Sequence, residues 1–438
     1  MSNTSHQPAN PAHASSLTVG DELELDITNV AHGGIFIARH EGRVIFVSDT
    51  LPGERVRVRL TEANHKSFWR AETVAVIEQS PERQPHIWSA ASIDRAAEDR
   101  AGGAEFGHID LGFQRELKRQ VLADALQRMA GIETSVVVEP VAVSAKASPG
   151  DAMDGTGWRT RVSLHVADDG TIGPYAARSH RVIAVDDLPL AEHELELRAP
   201  LDTLFHNAAK VDLVAPSKGD VQVLVSPKDH NGKPKRVPHG LIHEIVAGRE
   251  FELDRSGFWQ VHSMAADTLF HAVAHIIDAD KFDPRASNLD LYGGVGLLAA
   301  AVGDRFGSTT RITSVESDPE AVGFAARNLR EWAGATAEAD RVDRYLQRLA
   351  READAGERAR LAAATVVLDP PRSGAGKAVV DQLVALAPQQ IVYVACDPVA
   401  LARDVALFAK QGYELRALRA FDLFPNTHHV EAVALLCK

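Results

Sequence analysis

The sequence predicts an α/β chain whose C-terminal part is a mainly parallel sheet covered by helices on both faces, preceded by a small β-barrel and a central α+β region. Three observations carry this expectation. From about 251 to 438, short apolar runs alternate with stretches of helical periodicity. A glycine turn, Gly293-Gly294-Val295-Gly296, follows the first of those runs, and Glu316 ends the second, twenty residues after Gly296. Near the C-terminus, the apolar run 391–395 ends at Cys396, and Asp397-Pro398, a helix-start signal, comes directly after it.

Taken in order, residues 1–16 are rich in Ser, Pro, Ala, Asn and His, show no period, and read as a disordered tail. Over 17–78, Leu23, Leu25 and Ile27 alternate. Gly33-Gly34, Gly42 and Pro52-Gly53 then turn the chain between further short apolar runs, which predicts four or five strands in a small barrel. Arg39, Arg43, Arg55, Arg57, Arg59, Lys66 and Arg70 interleave with Phe68-Trp69, a pattern suited to single-stranded nucleic acid. Acidic residues are at least as numerous there, so a solvated barrel surface is the competing reading.

Residues 79–250 read as a linker and a central α+β domain. Leu117, Val121, Leu122, Ala125, Leu126 and Met129 recur at helical spacing before Gly131, a C-cap. Strand candidates follow at 136–138, 162–166 and 221–225, and the basic run 228–236 contains Gly and Pro and reads as a loop. In the domain 251–438, strands are expected at 288–291, 312–315, 365–368, 391–394 and 432–436.

Bulk properties narrow the function. A length of 438 residues implies two to three domains. The net charge of -13 argues against a chain that adheres to nucleic acid all over its surface, but leaves a local basic face open. Two cysteines, at 396 and 437, make neither a disulfide framework nor a four-thiolate metal site. No run of eighteen apolar residues and no basic-then-apolar leader is present, so a cytoplasmic protein without membrane contact is expected.

The glycines let the backbone turn sharply and approach a cofactor, and Glu316 is placed to accept hydrogen bonds from ribose hydroxyls. That spacing fits a dinucleotide or S-adenosyl-methionine. In the second case Asp290 faces the positively charged methionine end. Asp369-Pro370-Pro371-Arg372 ends another strand, and its prolines hold the Asp rigidly at the sheet edge. His428 and His429 read as packing or hydrogen-bonding residues, and Cys437, without such neighbours, reads as inert.

Asp290-Leu291-Tyr292-Gly293-Gly294-Val295-Gly296, Asp369-Pro370-Pro371-Arg372, Ala395-Cys396-Asp397-Pro398 with Leu401-Ala402-Arg403-Asp404, Phe421-Asp422-Leu423-Phe424-Pro425 and His429-Val430-Glu431 together resemble the RNA (uracil-5-)-methyltransferase family. The likeness extends upstream to Phe258-Trp259-Gln260-Val261 and Leu117-Lys118-Arg119-Gln120, and the barrel resembles the OB-like TRAM domain. The resemblance implies a Rossmann-like class I methyltransferase domain, S-adenosyl-methionine as cofactor, and ribosomal or transfer RNA as partner, acted on by a monomer that makes 5-methyluridine. It assigns Cys396 as the nucleophile and Glu431 as the base. Gln260, Tyr292, Glu316, Asp340 and Asp369 become the cofactor-binding residues, and Arg372 and Arg403 hold the nucleotide or stabilise an enolate.

The chemistry asks for these types. Carbon 5 of uracil is a poor nucleophile until a thiolate adds at carbon 6. A helix N-terminus at Asp397-Pro398 is expected to lower the Cys396 pKa. Many family members carry a four-cysteine iron-sulfur site before the first long helix, whereas 102–108 here contains no cysteine, so neither a cluster nor any other metal is expected. Two alternatives stay open: methylation of another RNA base, which leaves Cys396 and Glu431 without work, and a noncatalytic RNA-binding protein with a degenerate methyltransferase domain.

Overall fold

A computed structural model describes residues 17–142, 151–177 and 179–438; the tail expected over 1–16 lies outside them. The described chain falls into two compact units, one formed by residues up to Asn29 with Ile35–Pro81, the other by Val30–Gly34 with Glu82–Lys438.

In the first unit, β1 (Glu22–Ala31), β2 (Ile35–His40), β3 (Arg43–Ser48), β4 (Arg55–Glu62) and β5 (Phe68–Glu78) close into a barrel in the order β1-β2-β3-β5-β4. Alternate residues point inward, as a pleated strand dictates, and Phe36, Ala38, Ile45, Val47, Val56 and Val58 are fully buried. Outside, several of the expected basic residues are paired. Arg55 bonds Glu24 at 2.9 Å, Arg59 lies 3.5 Å from Glu22, and Arg70 lies 3.4 Å from Glu62. Arg43 sits over the Trp69 ring at 4.0 Å and His65 stacks on Phe68 at 4.5 Å. Much of the surface is thus charge-balanced; Trp69 points into the barrel, while Phe68 on the other side of β5 lies edge to face with Phe46 at 5.7 Å, Arg70 within 5.9 Å of both rings.

The second unit is built on an eight-stranded sheet of order β15-β14-β13-β16-β17-β19-β18-β6. Its strands are β6 (Val138–Pro140), β13 (Asn288–Leu291), β14 (Ile312–Glu316), β15 (Ala335–Ala339), β16 (Thr365–Leu368), β17 (Gln390–Ala395), β18 (Glu414–Asp422) and β19 (Glu431–Cys437). β13 to β17 run parallel, and β19 is antiparallel to both neighbours. Helices cover both faces, which is why the strands read as unbroken apolar runs. Val367, Val392, Val394, Val433 and Leu435 pack on one face with α4 (Ala265–Ile276) and α5 (Leu297–Phe306). Val366, Leu368, Ile391, Tyr393, Ala432 and Ala434 pack on the other with α1 (Leu111–Ala130), α7 (Val342–Glu352), α9 (Gly376–Leu386) and α10 (Pro398–Ala409). Each large apolar side chain so enclosed contributes about 1.5–3 kcal/mol of transfer free energy.

Three features depart from the sequence reading. The strand expected at 136–138 lies two residues later, as β6, and pairs in parallel with β18, Val138 opposite Ala420, so it belongs to the large sheet rather than to the central domain. Likewise α1 packs its Leu122, Ala125 and Leu126 in the same core as Leu401, Ala402 and Val405 of α10. β15 and β18 had no clear apolar signal; the first is an edge strand with half-exposed residues, and the second is partly exposed along its first half.

The central region holds a four-stranded sheet, β10-β9-β7-β8, made by β7 (Arg161–Val166), β8 (Ile172–Gly173), β9 (Ala208–Val214) and β10 (Gln222–Pro227). Its core contains Trp88, Trp158, Leu164, Ile172, Val211 and Leu213. A hairpin, β11 (Leu241–Val246) and β12 (Arg249–Asp254), straddles the domain change read at 250 and buries Ile242, Val246, Phe251 and Leu253 in the core with α4. Residues 228–236 form the exposed loop expected, with the Asp229 carboxylate accepting from the Asn231 and Lys233 N–H groups. Among the described residues, no helix is long and apolar enough to cross a membrane.

Candidate active site

One edge of the large sheet collects the chemistry-bearing residues because strand direction decides it. The parallel strands deliver their C-terminal residues there: Asp290 in β13, Glu316 in β14, Asp340 after β15, Asp369 after β16 and Cys396 after β17. β19 is antiparallel, so its first residue, Glu431, arrives at the same edge. Sheet order reverses its direction of growth between β13 and β16, the switch point at which open α/β sheets bind ligands.

Asp290 is fully buried. Its Oδ2 accepts from Ala299 N at 3.2 Å and Ser314 Oγ at 3.1 Å, while Oδ1 has no hydrogen-bond partner. Burial, and then the nearby Glu316 charge, push its pKa up to about 7. A Cβ at Gly293 would stand 2.0 Å from Ser314 Oγ and 2.7 Å from Asp290 Oδ2, so only glycine lets the turn close over this carboxylate. Tyr292 takes the left-handed conformation, φ 64°, an uncommon backbone state that concentrates at functional turns. Gly294 N donates to Glu316 Oε2 at 3.3 Å, and Ser317 and Asp318 N–H groups donate to Oε1. Asp340 accepts from Arg341 N, with Arg348 3.4 Å from its other oxygen. Gln260 comes from outside the sheet; the preceding Trp259 belongs to the same apolar core as Val295 of the glycine turn.

An orphaned buried carboxylate oxygen beside a glycine turn, with a second carboxylate at the next strand end, fits S-adenosyl-methionine: a cation at one end and ribose hydroxyls toward the other.

Cys396 lies between the end of β17 and the first turn of α10, where the Asp397 carboxylate caps the Val399 and Ala400 N–H groups. A helix N-terminus is thus in place, but the thiol pKa moves opposite to the expectation. Desolvation, then the Glu431 and Asp369 charges, push it up to about 12, and Arg372 is the charge that opposes them. The partial charge of one helix end is outweighed by burial among carboxyl groups. Desolvation and the Asp290 charge raise Asp369 to about 7; desolvation and the Asp369 charge raise Glu431 well above the carboxylate range. Asp290, Asp369, Cys396, Glu431 and Arg372 therefore sense one another. At neutral pH the thiol is protonated, and the same burial favours the neutral form of Glu431.

Arg403, expected to hold the nucleotide or stabilise an enolate, is bonded within the protein. Its Nε donates to Asp404 at 2.9 Å and Nη2 to Ser373 O at 2.7 Å, and Asp404 also accepts from Tyr393 Oη at 2.7 Å. It braces the turn after Arg372 from behind. A Cβ at Gly374 would stand 2.4 Å from that guanidinium. His429 approaches Arg372 at 3.4 Å and His428 approaches Glu105 at 3.5 Å. Cys437 is buried in the far end of β19.

The support of the segment carrying Glu431 was missed in the sequence because its partners lie about three hundred positions away. Lys118 Nζ, fully buried on α1, donates to Asp422 at 2.6 Å and to Phe424 O at 2.9 Å. Gln114 Nε2 donates to Asn426 Oδ1 at 3.0 Å, and Asn426 N returns a bond to Gln114 Oε1 at 2.8 Å. Only the oddity of Lys118 on an apolar helix face hinted at this.

Comparison with known proteins agrees with this geometry. Residues 16–69 match the TRAM domain model and residues 285–438 the tRNA (Uracil-5-)-methyltransferase model. An uncharacterized RNA methyltransferase of Streptomyces avermitilis is 38% identical over 95% of this chain and 98% of its own. A 23S rRNA (uracil(1939)-C(5))-methyltransferase of Shewanella sediminis is 28% identical over 96% and 97%. The crystal structure of a Pyrococcus abyssi tRNA (uracil-54, C5)-methyltransferase with S-adenosyl-L-homocysteine shares the fold, with a TM-score of 0.66 at 21% identity over 94% of this chain and 99% of that one.

Proposed function

The chain belongs to the RNA (uracil-5-)-methyltransferase family, S-adenosyl-methionine-dependent enzymes, and carries a TRAM domain; on that premise we propose that it makes 5-methyluridine in ribosomal or transfer RNA through a covalent bond between Cys396 and the target uracil. The observation that carries the proposal is the meeting of Cys396, Glu431, Asp369 and Arg372 at the sheet edge beside the glycine turn.

Asp369 and Tyr292, with Gln260, Glu316 and Asp340, hold S-adenosyl-methionine, whose sulfonium supplies the methyl group. Cys396, once it has lost its proton, adds to carbon 6 of the uracil, and the ring electrons move to carbon 5 and oxygen 4 as an enolate. Arg372 is the cation beside the thiol, so it favours the thiolate and is placed to balance negative charge on the ring. Carbon 5 would then bond to the methyl carbon as the methyl–sulfonium bond breaks, the electron pair staying on sulfur in S-adenosyl-homocysteine. Glu431, as the carboxylate, takes the proton from carbon 5, and the electrons of that bond restore the ring as the C6–S bond breaks and the thiolate leaves. A base paired inside folded RNA must leave its stack to reach this edge.

Nucleoside mass spectrometry on separated ribosomal and transfer RNA from a deletion strain, complemented with wild type or with Cys396→Ala, tests this. Loss of 5-methyluridine from one fraction, restored by wild type alone, is expected. Unchanged 5-methyluridine in both, or full rescue by the alanine variant, overturns the reading.

A further inference from the structure

A cavity of about 430 Å³, within the size range of small-ligand sites, opens in the central region, with Cys396 not among its lining residues. Arg159, Arg161, Lys210 and Arg255 line it against one carboxylate, Asp212, and Trp88 and Trp259 contribute to its apolar part. Lys210 bonds Asp212 at 2.8 Å, which leaves three guanidinium charges without an equal number of carboxylates in the wall. Arg161 Nη1 donates to Gly257 O at 2.7 Å, but its Nε and Nη2 are buried with no hydrogen-bond partner. Asp212, Glu244 and Asp254 are the carboxylates that act on it, and none accepts from those two nitrogens. Those two nitrogens have no accessible surface and do not face the cavity, but the Arg161 charge is desolvated and lacks a directly bonded carboxylate, and an anion in the cavity would balance it.

The cavity is tied to the active site by backbone. Thr160 N and Oγ1 both donate to Val261 O, and Arg159 bridges to His262, so the strand entering β7 runs beside the segment that carries Gln260. Trp259 and Val261, on either side of Gln260, line the cavity.

We propose that this cavity binds one nucleotide of the RNA substrate other than the methylated uridine, its phosphate within the field of Arg161 and beside Lys210 and its base against the apolar wall. This rests on RNA being the substrate. It gives the central region a task in substrate selection: the enzyme anchors a neighbouring nucleotide while the target base is turned out to Cys396.

The test is equilibrium binding of a short, fluorescein-labelled single-stranded RNA of mixed sequence to the full chain, by anisotropy. Two variants separate charge from space: Lys210→Glu reverses a charge, and Ser163→Phe fills the exposed mouth of the cavity without changing charge. Each is expected to weaken RNA binding by about tenfold, to leave S-adenosyl-methionine affinity within about twofold, and to keep the wild-type melting temperature. Adenosine monophosphate is expected not to displace the RNA at equal concentration. RNA affinity within about twofold of wild type in folded Ser163→Phe overturns the proposal. So does adenosine monophosphate binding as tightly as the RNA, which would mark a site for free nucleotides. Because binding is read without turnover, failure to form 5-methyluridine would sink the uracil mechanism and leave this result standing.

Discussion

Cys396 and Glu431 leave the antiparallel pair β17 and β19 at the same edge, each one residue beyond the register pair Ala395–Ala432. A thiol and a carboxyl group thus become cross-strand neighbours, and the Glu431 charge, after burial, pushes the thiol toward its neutral form.

The high thiol pKa has a direct readout. With a value of about 12, the Cys396 thiolate fraction rises about tenfold per pH unit between pH 8 and 10. The rate of Cys396 alkylation by iodoacetamide in the free enzyme should rise with the same slope and show no plateau in that window. A rate that levels off above about pH 9 would mean an unperturbed thiol. Arg372→Gln removes the opposing cation and should slow alkylation further.

Glu431→Gln keeps the shape of the site and removes the base. Methyl transfer to carbon 5 should then stall before release, so a denaturant-stable protein–RNA adduct accumulates while 5-methyluridine formation falls by about 10²–10⁴-fold. Gel electrophoresis of the reaction under denaturing conditions checks this. Cys396→Ala should give neither adduct nor product.

Asp290 has a folded pKa of about 7 against 3.8 for the free side chain. Between those values the folded state keeps a proton that the unfolded chain has released, so its contribution to stability is fully present below about pH 4 and is lost as pH rises through 7. Asp290→Asn should therefore stabilise the protein at pH 8 by on the order of 2 kcal/mol while weakening S-adenosyl-methionine binding. Thermal melts at pH 5 and pH 8 check the sign: the gain should be smaller at pH 5.

Lys118→Met leaves Asp422 buried with Arg115 at 4.0 Å as its nearest cation. A loss of about 3–5 kcal/mol is expected from denaturant unfolding, largely recovered when Asp422→Leu is added. Recovery of stability without recovery of activity would show that the pair also fixes the segment that delivers Glu431.

Much of the edge was legible because each strand announces its own end. A buried parallel strand is a short apolar run, and the first polar residue after it, Asp369 or Cys396, must lie at the carboxyl edge whatever the neighbours are. β15 and β18 were not legible. An edge strand of Ala-Thr-Ala-Glu-Ala and a strand whose first half is partly exposed owe their form to the partners they pair with, not to their own periodicity.

By itself, the sequence determined the chain order of barrel, central region and α/β sheet, the identity of the thiol and carboxyl groups, and the family they match, since all are set by local pattern and spacing. Only the tertiary structure decided their electrostatic state. The helix N-terminus predicted to activate Cys396 is present, yet burial beside Asp369 and Glu431 raises the thiol, because desolvation and charge depend on which distant segments meet. It also decided that Arg403 braces a turn and that Lys118 secures Asp422, contacts between residues that lie far apart along the chain and that no local window contains.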